Sequence, residues 1–381
     1  MRISELRGYH VSARLPAPRG SARGFFDRRD ALIIEIVAED GLSGWGECWS
    51  APAASAAIMR SRLAALILGR DGSRIDALWD AMRGAVGADP LGAGSAAIAA
   101  LDMALHDLTA RARGVPVSAL LGAAVRDRVP AYASGPFMKP GGDPYRGYAA
   151  DVEGYLKLGF RAIKPRAGIG PRADAAMGAA LRRQVGAEVA LMVDVNQGYE
   201  AADAIAAARG LADSDFRWIE EPVGPADVAG YRAVARAGGM AVAGGEALSE
   251  AAAFGDFLAA DALAVLQPDL AVCGGFTGVA AVLALAEAAD RPVVPHVWGT
   301  VVSFYASLQL AAVLPPRAEG SESLYPFLEF ERSGYPLLNL FGDPPLNADG
   351  TISIPTTPGI GVELAAETLA PWVVESWVET A

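Results

Sequence analysis

Three acidic residues stand at equal intervals in the middle of the chain, each directly after a short apolar run. Asp194, Glu220 and Glu246 follow one another every 26 residues. Each interval holds one strand-like and one helix-like run, so each is read as one βα unit. Because parallel strands joined in this way point in the same direction, the three carboxylates are expected at one edge of a sheet. Their mutual repulsion and their hard oxygen atoms predict a Mg²⁺ site. The competing interpretation, three separate helix caps, does not require equal spacing.

Two cations end another predicted strand. Lys164 and Arg166 occupy positions i and i+2, which lie on one face of a strand. On a barrel strand that face can be the interior mouth, beside the predicted metal. The chain has only three lysines and otherwise uses arginine, so a lysine at this place is a pointer to function. The alternative is a solvated strand end.

An acid and a histidine end the next two predicted strands. Asp269 follows Gln267 and Pro268, and His296 follows Pro295. Neighbouring strand ends bring the two side chains together, so Asp269 is expected to accept a hydrogen bond from one imidazole nitrogen and to raise its basicity. His296 is the only histidine after position 106, and the alternative is a packed core histidine.

These groups on one rim indicate a reaction type. A carboxylate substrate would chelate Mg²⁺, and a positioned base would remove its α-proton. The enediolate that forms would be stabilised by the metal and by Lys164. A lysine or histidine base combined with Mg²⁺ and an enediolate is the pattern of enolase-type enzymes.

Repeated strand–helix units are expected to position these residues. Residues 1 to about 50 read as β structure and 52–113 as helices, and from Val129 strands alternate with Ala- and Leu-rich helices about every thirty residues. Seven such units favour an α/β barrel over an open sheet. The predicted strands are Val129–Ser134, Ala162–Arg166, Val189–Asp194, Phe216–Glu220, Ala241–Glu246, Ala262–Gln267 and Pro292–His296. An eighth, irregular unit contains Phe327 to Phe330. The cationic and aromatic segment 16–30 reads as an irregular loop, which is either a functional lid or a solvated connector.

Bulk composition narrows the class of protein. The 381 residues are 52% hydrophobic and carry a net charge of −12, with a pI near 4.8. An acidic chain is not expected to bind nucleic acid or anionic membranes. No apolar stretch approaches the roughly 20 residues of a membrane span. The two distant cysteines predict no disulfide framework, and the first residues lack the apolar core of a signal peptide, so a cytoplasmic location is expected.

The motifs together resemble a known family. Over its full length the chain resembles the mandelate racemase subgroup of the enolase superfamily. The matching pieces are Lys164-x-Arg166, Asp194-x-Asn196, Glu220-Glu221-Pro222, Gly244-Gly245-Glu246, Gln267-Pro268-Asp269 and Pro295-His296. The resemblance implies a (β/α)7β TIM-type barrel (127–340) under an α+β capping domain, which is built from 1–126 and from a returning C-terminal segment, 341–381. It also implies a homo-oligomer, and it places Glu329 as an acid after the eighth strand that bonds the substrate carboxylate.

Within the subgroup, several stretches are most similar to galactarolactone cycloisomerase and to sugar-acid dehydratases. Both reactions are β-eliminations from an enediolate, with a ring oxygen or a hydroxide as the leaving group. A small carboxylate, a sugar acid or its lactone, is therefore the expected substrate. The predicted substrate-binding residues are Asn196, Phe26, Arg28, Trp49 and Trp298.

One position departs from the family pattern. The second lysine of the second strand is usually a base, and here Arg166 replaces it. A guanidinium stays protonated, so Arg166 is a poor base and His296 is the one obvious base. This favours a one-base elimination, with Arg166 as an electrostatic group. The alternatives are a racemase or epimerase of a 2-hydroxy acid, and a non-catalytic carboxylate-binding protein that kept the metal site.

Overall fold

The computed structural model describes residues 1–87, 92–319, 322–342 and 346–381. Two large sheets organise these residues, one antiparallel and one mainly parallel and curled, and a third sheet has only two short strands. Among the described residues, no helix combines the length and the apolar character needed to cross a membrane.

An antiparallel sheet with the order β14-β1-β2-β3 joins the two ends of the chain. Its strands are β1 (Ile3–Ser21), β2 (Gly24–Ala38), β3 (Ser43–Cys48) and β14 (Val373–Thr380). The β-branched run in β2, from Ile33 to Val37, packs well on a pleated surface and is buried here. Because β14 pairs with β1, the C-terminal segment completes the same layer as the N-terminal strands.

Helices cover one face of this sheet. They are α1 (Pro52–Ile58), a π-helical turn (Met59–Leu63), α2 (Ala64–Ile67), α3 (Ile75–Val86), α4 (Ala93–Arg113) and α5 (Ser118–Leu121). The Ala-rich α4 lies close against β3. A Cβ atom added to Gly46 would lie 2.0 Å from the carbonyl oxygen of Ala100, so only glycine permits this approach. The close packing fixes the end of β3, where Glu47 and Trp49 face the second sheet.

The prediction that residues 16–30 form an irregular loop is wrong. These residues continue β1 and β2 as a long hairpin that turns at 22–23. Arg14 pairs with Arg28 and Arg19 with Phe26, so residues 15–18 stand opposite Asp27 alone. The extra residues form a bulge, which bends a strand and changes which side chains face inward. Cross-strand pairing is not visible in composition, which is why the segment read as a loop.

The second sheet is the barrel, and it confirms the α/β fold prediction. Its parallel strands run in the order β12-β4-β5-β6-β7-β8-β9. They are β4 (Arg128–Ser134), β5 (Ala162–Lys164), β6 (Ala190–Asp194), β7 (Phe216–Glu220), β8 (Ala241–Gly244), β9 (Val265–Leu266) and β12 (Leu328–Glu331). The predicted seventh strand, 292–296, lies beside β9 through parallel bridges from Val293 to Leu266 and from His296 to Asp269, without forming a continuous strand. Five of the predicted strands begin or end one to three residues from their observed bounds, and Phe216–Glu220 matches.

Helices follow the barrel strands, and short elements complete the chain. The helices are α6 (Tyr148–Leu158), α7 (Pro171–Val185), α8 (Ala201–Ala212), α9 (Val228–Ala237), α10 (Ala251–Ala259), α11 (Gly275–Ala288) and α12 (Val301–Val313). The short elements are β10 (Arg317–Glu319), β11 (Glu322–Tyr325), β13 (Thr351–Ser353), α13 (Ala366–Leu369) and the 3₁₀ turn Ala370–Trp372. The domain boundaries at 126/127 and 340/341 stay a prediction, and residues 343–345 of the predicted C-terminal segment lie outside the described residues.

Large side chains fill the barrel interior beneath the rim. The rings of Tyr132, Trp218 and Phe327 lie 6.2 to 6.3 Å apart between centroids, and all three side chains are buried. Packed barrel interiors are not pores, so chemistry is confined to the rim formed by the carboxyl ends of the strands. The next residues along each strand reach that rim.

Candidate active site

The three equally spaced acids meet at the rim. Asp194 and Glu220 are the last residues of β6 and β7 and pair across the two strands, and Glu246 follows β8 by two residues. One ligand oxygen from each lies within 4.8 Å of the others. Gly245 turns the chain between β8 and Glu246 with a φ of 125°, and a Cβ atom there would lie 2.4 Å from the ring of Phe254. The strand ends therefore bring the three acids together as the spacing indicated.

The donor set fits a hard divalent cation. Oε2 of Glu246 is buried without a hydrogen-bond partner among the described residues. Burial raises the pKa of Glu246, and the charge of Glu220 raises it further against the opposing effect of His296. Carboxylate oxygens that repel one another in a buried place are ligands for Mg²⁺, which prefers oxygen donors. The residues present can hold such an ion.

Lys164 and Arg166 lie beside this cluster, both buried. Nζ of Lys164 lies 2.5 Å from Oε1 of Glu220 and 3.0 Å from Oε1 of Glu329. The guanidinium of Arg166 pairs with Asp194 and donates a 3.1 Å hydrogen bond to Oγ of Ser134. Both cations therefore face the interior mouth of the barrel, and acids match their charges.

Asp269 and His296 form a buried pair. Nδ1 of His296 lies 2.7 Å from Oδ2 of Asp269, and Nε1 of Trp49 donates to the same oxygen at 2.9 Å. The backbone N–H of Ala271 donates to Oδ1 at 2.7 Å. Since these donors fix the carboxylate, the ring of His296 is held with Nε2 toward the metal cluster, 3.3 Å from Oε2 of Glu246.

Neighbouring acids control the charge of His296. Burial alone would lower its pKa, but the carboxylates of Glu246, Glu329 and Asp269 outweigh burial and raise the pKa to about 10. The imidazolium is thus stabilised by surrounding carboxylates, one of which, Glu246, belongs to the cation site. A cation bound there would oppose this effect and favour the neutral imidazole that can accept a proton. This electrostatic support comes from three different strand ends.

Glu329 reaches the site from β12. Its Oε2 accepts a 3.1 Å hydrogen bond from the backbone N–H of Val297, and its Oε1 pairs with Lys164. Burial would raise the pKa of Glu329, but Lys164, His296 and Arg166 hold it well below the usual range. The irregular eighth unit therefore places this acid among the other charged residues of the site.

Asn196 holds the first metal-site acid. Its backbone N–H donates to Oδ1 of Asp194 at 2.8 Å and its side-chain amide donates to Oδ2 at 3.0 Å. The amide oxygen of Asn196 is buried without a partner among the described residues. A residue with φ of 42° in this place bends the chain so that both amide groups face the carboxylate.

A cavity of about 200 Å³ lies above these residues. Aromatic rings form much of its wall, with Phe26 5.7 Å from Trp298 and Phe137 6.0 Å from Trp298 between centroids. Its lining residues are Ser21, Arg23, Phe26, Trp49, Phe137, Arg166, Asn196, Glu246, His296 and Trp298. Four of the five predicted substrate-binding residues are among them.

Arg28 is the predicted binding residue that the structure does not bring to the cavity. Its side chain is exposed and donates to Oγ of Ser12 at 2.8 Å. The adjacent Arg29 is buried instead, 2.8 Å from Glu331 and 3.8 Å from the ring centroid of Trp298. Arg28 and Arg29 pair in regular register with Arg14 and Ala13, so their side chains point to opposite faces of the hairpin, and the sequence alone does not show which face is buried.

Other residues of the site were missed. Nε2 of Gln267 donates to Oε2 of Glu220 at 2.7 Å, and Gln197 donates to the buried Glu221 at 2.8 Å. Gln267 stands in the Gln-Pro-Asp motif, which could have indicated it. Arg23 and Phe137 also line the cavity. Arg23 belongs to the cationic segment 16–30, whereas no sequence pattern indicated Phe137.

Comparison with known proteins agrees with this geometry. Residues 5–122 match the family model of the mandelate racemase / muconate lactonizing enzyme N-terminal domain, and residues 147–368 match the enolase C-terminal domain-like model. The chain belongs to the mandelate racemase/muconate lactonizing enzyme family of the enolase superfamily. The family resemblance found in the sequence is thereby confirmed. A solved member of the enolase superfamily from Polaromonas sp. JS666 superimposes with a TM-score of 0.88 at 30% identity, over 98% of this chain and 98% of that chain.

Three relatives illustrate the range of this mandelate racemase/muconate lactonizing enzyme family. D-galactarolactone cycloisomerase of Agrobacterium fabrum is 33% identical over 97% of this chain and 98% of its own length. The 3,6-anhydro-alpha-L-galactonate cycloisomerase of Streptomyces coelicolor is 32% identical over 93% of this chain and 96% of its own. The structure of L-talarate dehydratase from Polaromonas sp. JS666, complexed with Mg and L-glucarate, superimposes with a TM-score of 0.86 at 28% identity, over 100% of this chain and 99% of that chain. These relatives confirm the prediction of an isomerase or lyase.

Proposed function

We propose that this chain is a Mg²⁺-dependent enzyme that removes the α-proton of a sugar-acid carboxylate, or of its lactone, and then eliminates a group from the β-carbon. One observation carries the proposal. Nε2 of His296, backed by Asp269, lies 3.3 Å from a carboxylate oxygen of the cation site. A base placed this close to the cation can reach the carbon next to a carboxylate held there.

The cation site supports the first part of the reaction. Mg²⁺ held by Asp194, Glu220 and Glu246 would supply a Lewis acid that stabilises negative charge on the substrate carboxylate. Lys164 is buried between two acids at the same rim and adds a fixed positive charge beside that carboxylate. Both positive charges would stabilise the negative charge that develops on the substrate when the α-proton leaves.

His296 would hold the abstracted proton on Nε2. Asp269 accepts the hydrogen bond from Nδ1, so it fixes the tautomer and stabilises the imidazolium. Arg166 lines the same cavity, and a guanidinium there contributes positive charge rather than a base. The arrangement supports a one-base mechanism.

The two possible leaving groups, a hydroxide and a carboxylate, differ in whether they need a proton. In a dehydration, the β C–O bond breaks and the hydroxide must gain a proton to leave as water. In the opening of a lactone, the ring C–O bond breaks and the oxygen remains on the molecule as a carboxylate, so no atom is lost. Either enol then becomes a 2-keto-3-deoxy acid. A carboxylate leaves without a proton, whereas in a dehydration the proton on His296 must pass to the leaving hydroxide, so lactone opening, a cycloisomerisation, demands less of a site with one proton-carrying dyad.

The test is a screen of sugar acids and their lactones with Mg²⁺ in D₂O, followed by NMR, with EDTA-treated protein as the control. A 2-keto-3-deoxy product is expected, and the release or retention of water identifies the leaving group. Deuterium at the α-carbon of both configurations of recovered acid, without this product, would instead establish a racemase or epimerase. Bound Mg²⁺ and acids without any exchange would point to a non-catalytic binding protein. The homo-oligomer and the cytoplasmic location stay predictions.

A further inference from the structure

The tip of the β1–β2 hairpin is seated on the barrel. The carbonyl oxygen of Gly20 accepts a 2.9 Å hydrogen bond from the backbone N–H of Met138 in the loop after β4. Cβ atoms built on Gly168 and Gly198 would lie 2.9 and 2.6 Å from Cβ of Ala22. The hairpin turn therefore rests against the loops that follow three barrel strands, and its next residue, Arg23, is held at the cavity.

Arg23 differs from its neighbours Arg19, Arg28 and Arg29 in its partners, and from the exposed Arg14 in that it lines the cavity. Arg19 donates to the carbonyl oxygen of Ser333 at 3.1 Å, Arg28 donates to Ser12, and Arg29 pairs with Glu331. Arg23 lines the cavity, its side chain is exposed, and within the described ranges its guanidinium has no ion-pair partner. The tip thus carries an uncommitted positive charge over the cavity.

At the inner end of the cavity, the cationic side chains among the described residues are already paired with acids. Lys164 pairs with Glu220 and Glu329, and Arg166 pairs with Asp194. The whole chain carries a net charge of −12, so its field repels anions. An anionic group at the outer end of a substrate needs a local cation to be held there, and Arg23 is placed to supply it.

We propose that Arg23 binds the carboxylate at the far end of a sugar di-acid, and so selects di-acids and their lactones over sugar acids with one carboxylate. The inference rests on the proposed function. A planar guanidinium matches a carboxylate through two parallel hydrogen bonds. When a di-acid lactone opens, the ring oxygen that leaves becomes part of this second carboxylate, so Arg23 also stabilises the charge on the leaving group.

The experiment compares matched substrates on the full-length, Mg²⁺-loaded protein. The pairs are galactarate with galactonate and glucarate with gluconate, all as free acids, and the lactones of the two di-acids are tested beside them. Arg23→Gln removes the charge, Arg23→Lys keeps it without the planar fork, and Arg14→Gln removes an exposed charge from the same hairpin outside the cavity. Circular dichroism verifies that each variant is folded, which is expected because both arginines are exposed.

The expected result is a selective loss. The wild-type protein should have a higher kcat/KM for the di-acid of a pair. Arg23→Gln should lower that value by about 10- to 100-fold, mainly through KM for the free acid, and should leave the mono-acid value within about twofold. Arg23→Lys should restore part of the loss, and Arg14→Gln should match the wild type.

Two results would overturn the inference in different ways. Mono-acids that react as well as di-acids, or equal effects of Arg23→Gln on both members of a pair, would remove the role of Arg23 while the proposed function stands. Absence of any α-proton exchange or product from every pair, with Mg²⁺ bound, would remove the proposed function and this inference with it.

Discussion

The two walls of the cavity, one formed by the barrel and one by the β1–β2 hairpin, differ in whether their cationic side chains are paired with acids. On the barrel wall, Lys164, Arg166 and His296 are buried and each pairs with a carboxylate. On the hairpin wall, Arg23 lines the cavity together with Phe26, is exposed, and has no ion-pair partner among the described residues. A wall whose charges are fixed in advance is suited to chemistry, because nothing must reorganise when charge develops. A wall with a free charge is suited to recognition. Barrel variants should therefore lower kcat, and hairpin variants should raise KM.

Among variants of the two walls, removal of a metal-site acid should cause the largest loss of activity. Asp194→Asn deletes one anionic ligand oxygen beside Arg166, so the substrate carboxylate loses its cation and turnover should fall to background. Calorimetric titration of Mg²⁺ and the D₂O exchange assay would measure binding and chemistry separately. Glu188→Gln, an exposed acid ahead of β6, is the control and should behave as wild type. Full activity in Asp194→Asn would refute the metal site.

Loss of the base should cause the second-largest loss of activity. His296→Asn should lower kcat by about 10² to 10⁴, because among the described residues that line the cavity His296 is the only imidazole. Mg²⁺ affinity should stay within a few-fold, since the carboxylates are untouched. Asp269→Asn should reduce the same step, and the double variant should be little worse than His296→Asn alone, because the pair acts as one unit. Additive losses, or α-proton exchange that survives in His296→Asn, would rule out the dyad.

The contact of Trp49 with Asp269 should have a moderate effect on kcat. Trp49→Phe keeps an aromatic ring at the wall but removes the N–H that donates to Oδ2 of Asp269. A hydrogen bond to a charged group is worth about 1.5–3 kcal/mol, so a loss of about tenfold or more in kcat is expected. Trp79→Phe is a matched control, because its N–H donates to the carbonyl oxygen of Gly274 away from the cavity. Similar kcat values for Trp49→Phe and wild type would make Trp49 only a packing residue.

Weakening the contact between the hairpin tip and the barrel should have the smallest effect, and that effect should be a change in KM. Ala22→Gly removes the methyl group that meets the loops at Gly168 and Gly198. One buried methyl contributes about 0.8 kcal/mol, so KM should rise by up to about fourfold with kcat unchanged. Ala17→Gly, an exposed position in the bulge, should leave both constants alone. A fall in kcat for Ala22→Gly would show that the tip takes part in the chemistry and would weaken the contrast between the two walls.

The sequence by itself determined the barrel side of this protein. The equal spacing of Asp194, Glu220 and Glu246 is enough, because each βα unit returns the chain to the same edge of the sheet. The same argument brings Lys164 and His296 to that edge. Local periodicity and strand direction are short-range properties, so they can be read without knowing how distant segments pair.

Only the tertiary structure decided the hairpin side. Whether 16–30 forms a loop or two paired strands depends on contacts between residues on opposite strands. Which face of the hairpin is buried is also a tertiary property, and it places Arg29 beside Glu331 and leaves Arg28 exposed. The position of Arg23 depends in turn on how the tip meets three barrel loops. Pairing register and docking between layers arise from long-range packing, and a pattern of residue types along the chain does not encode them visibly.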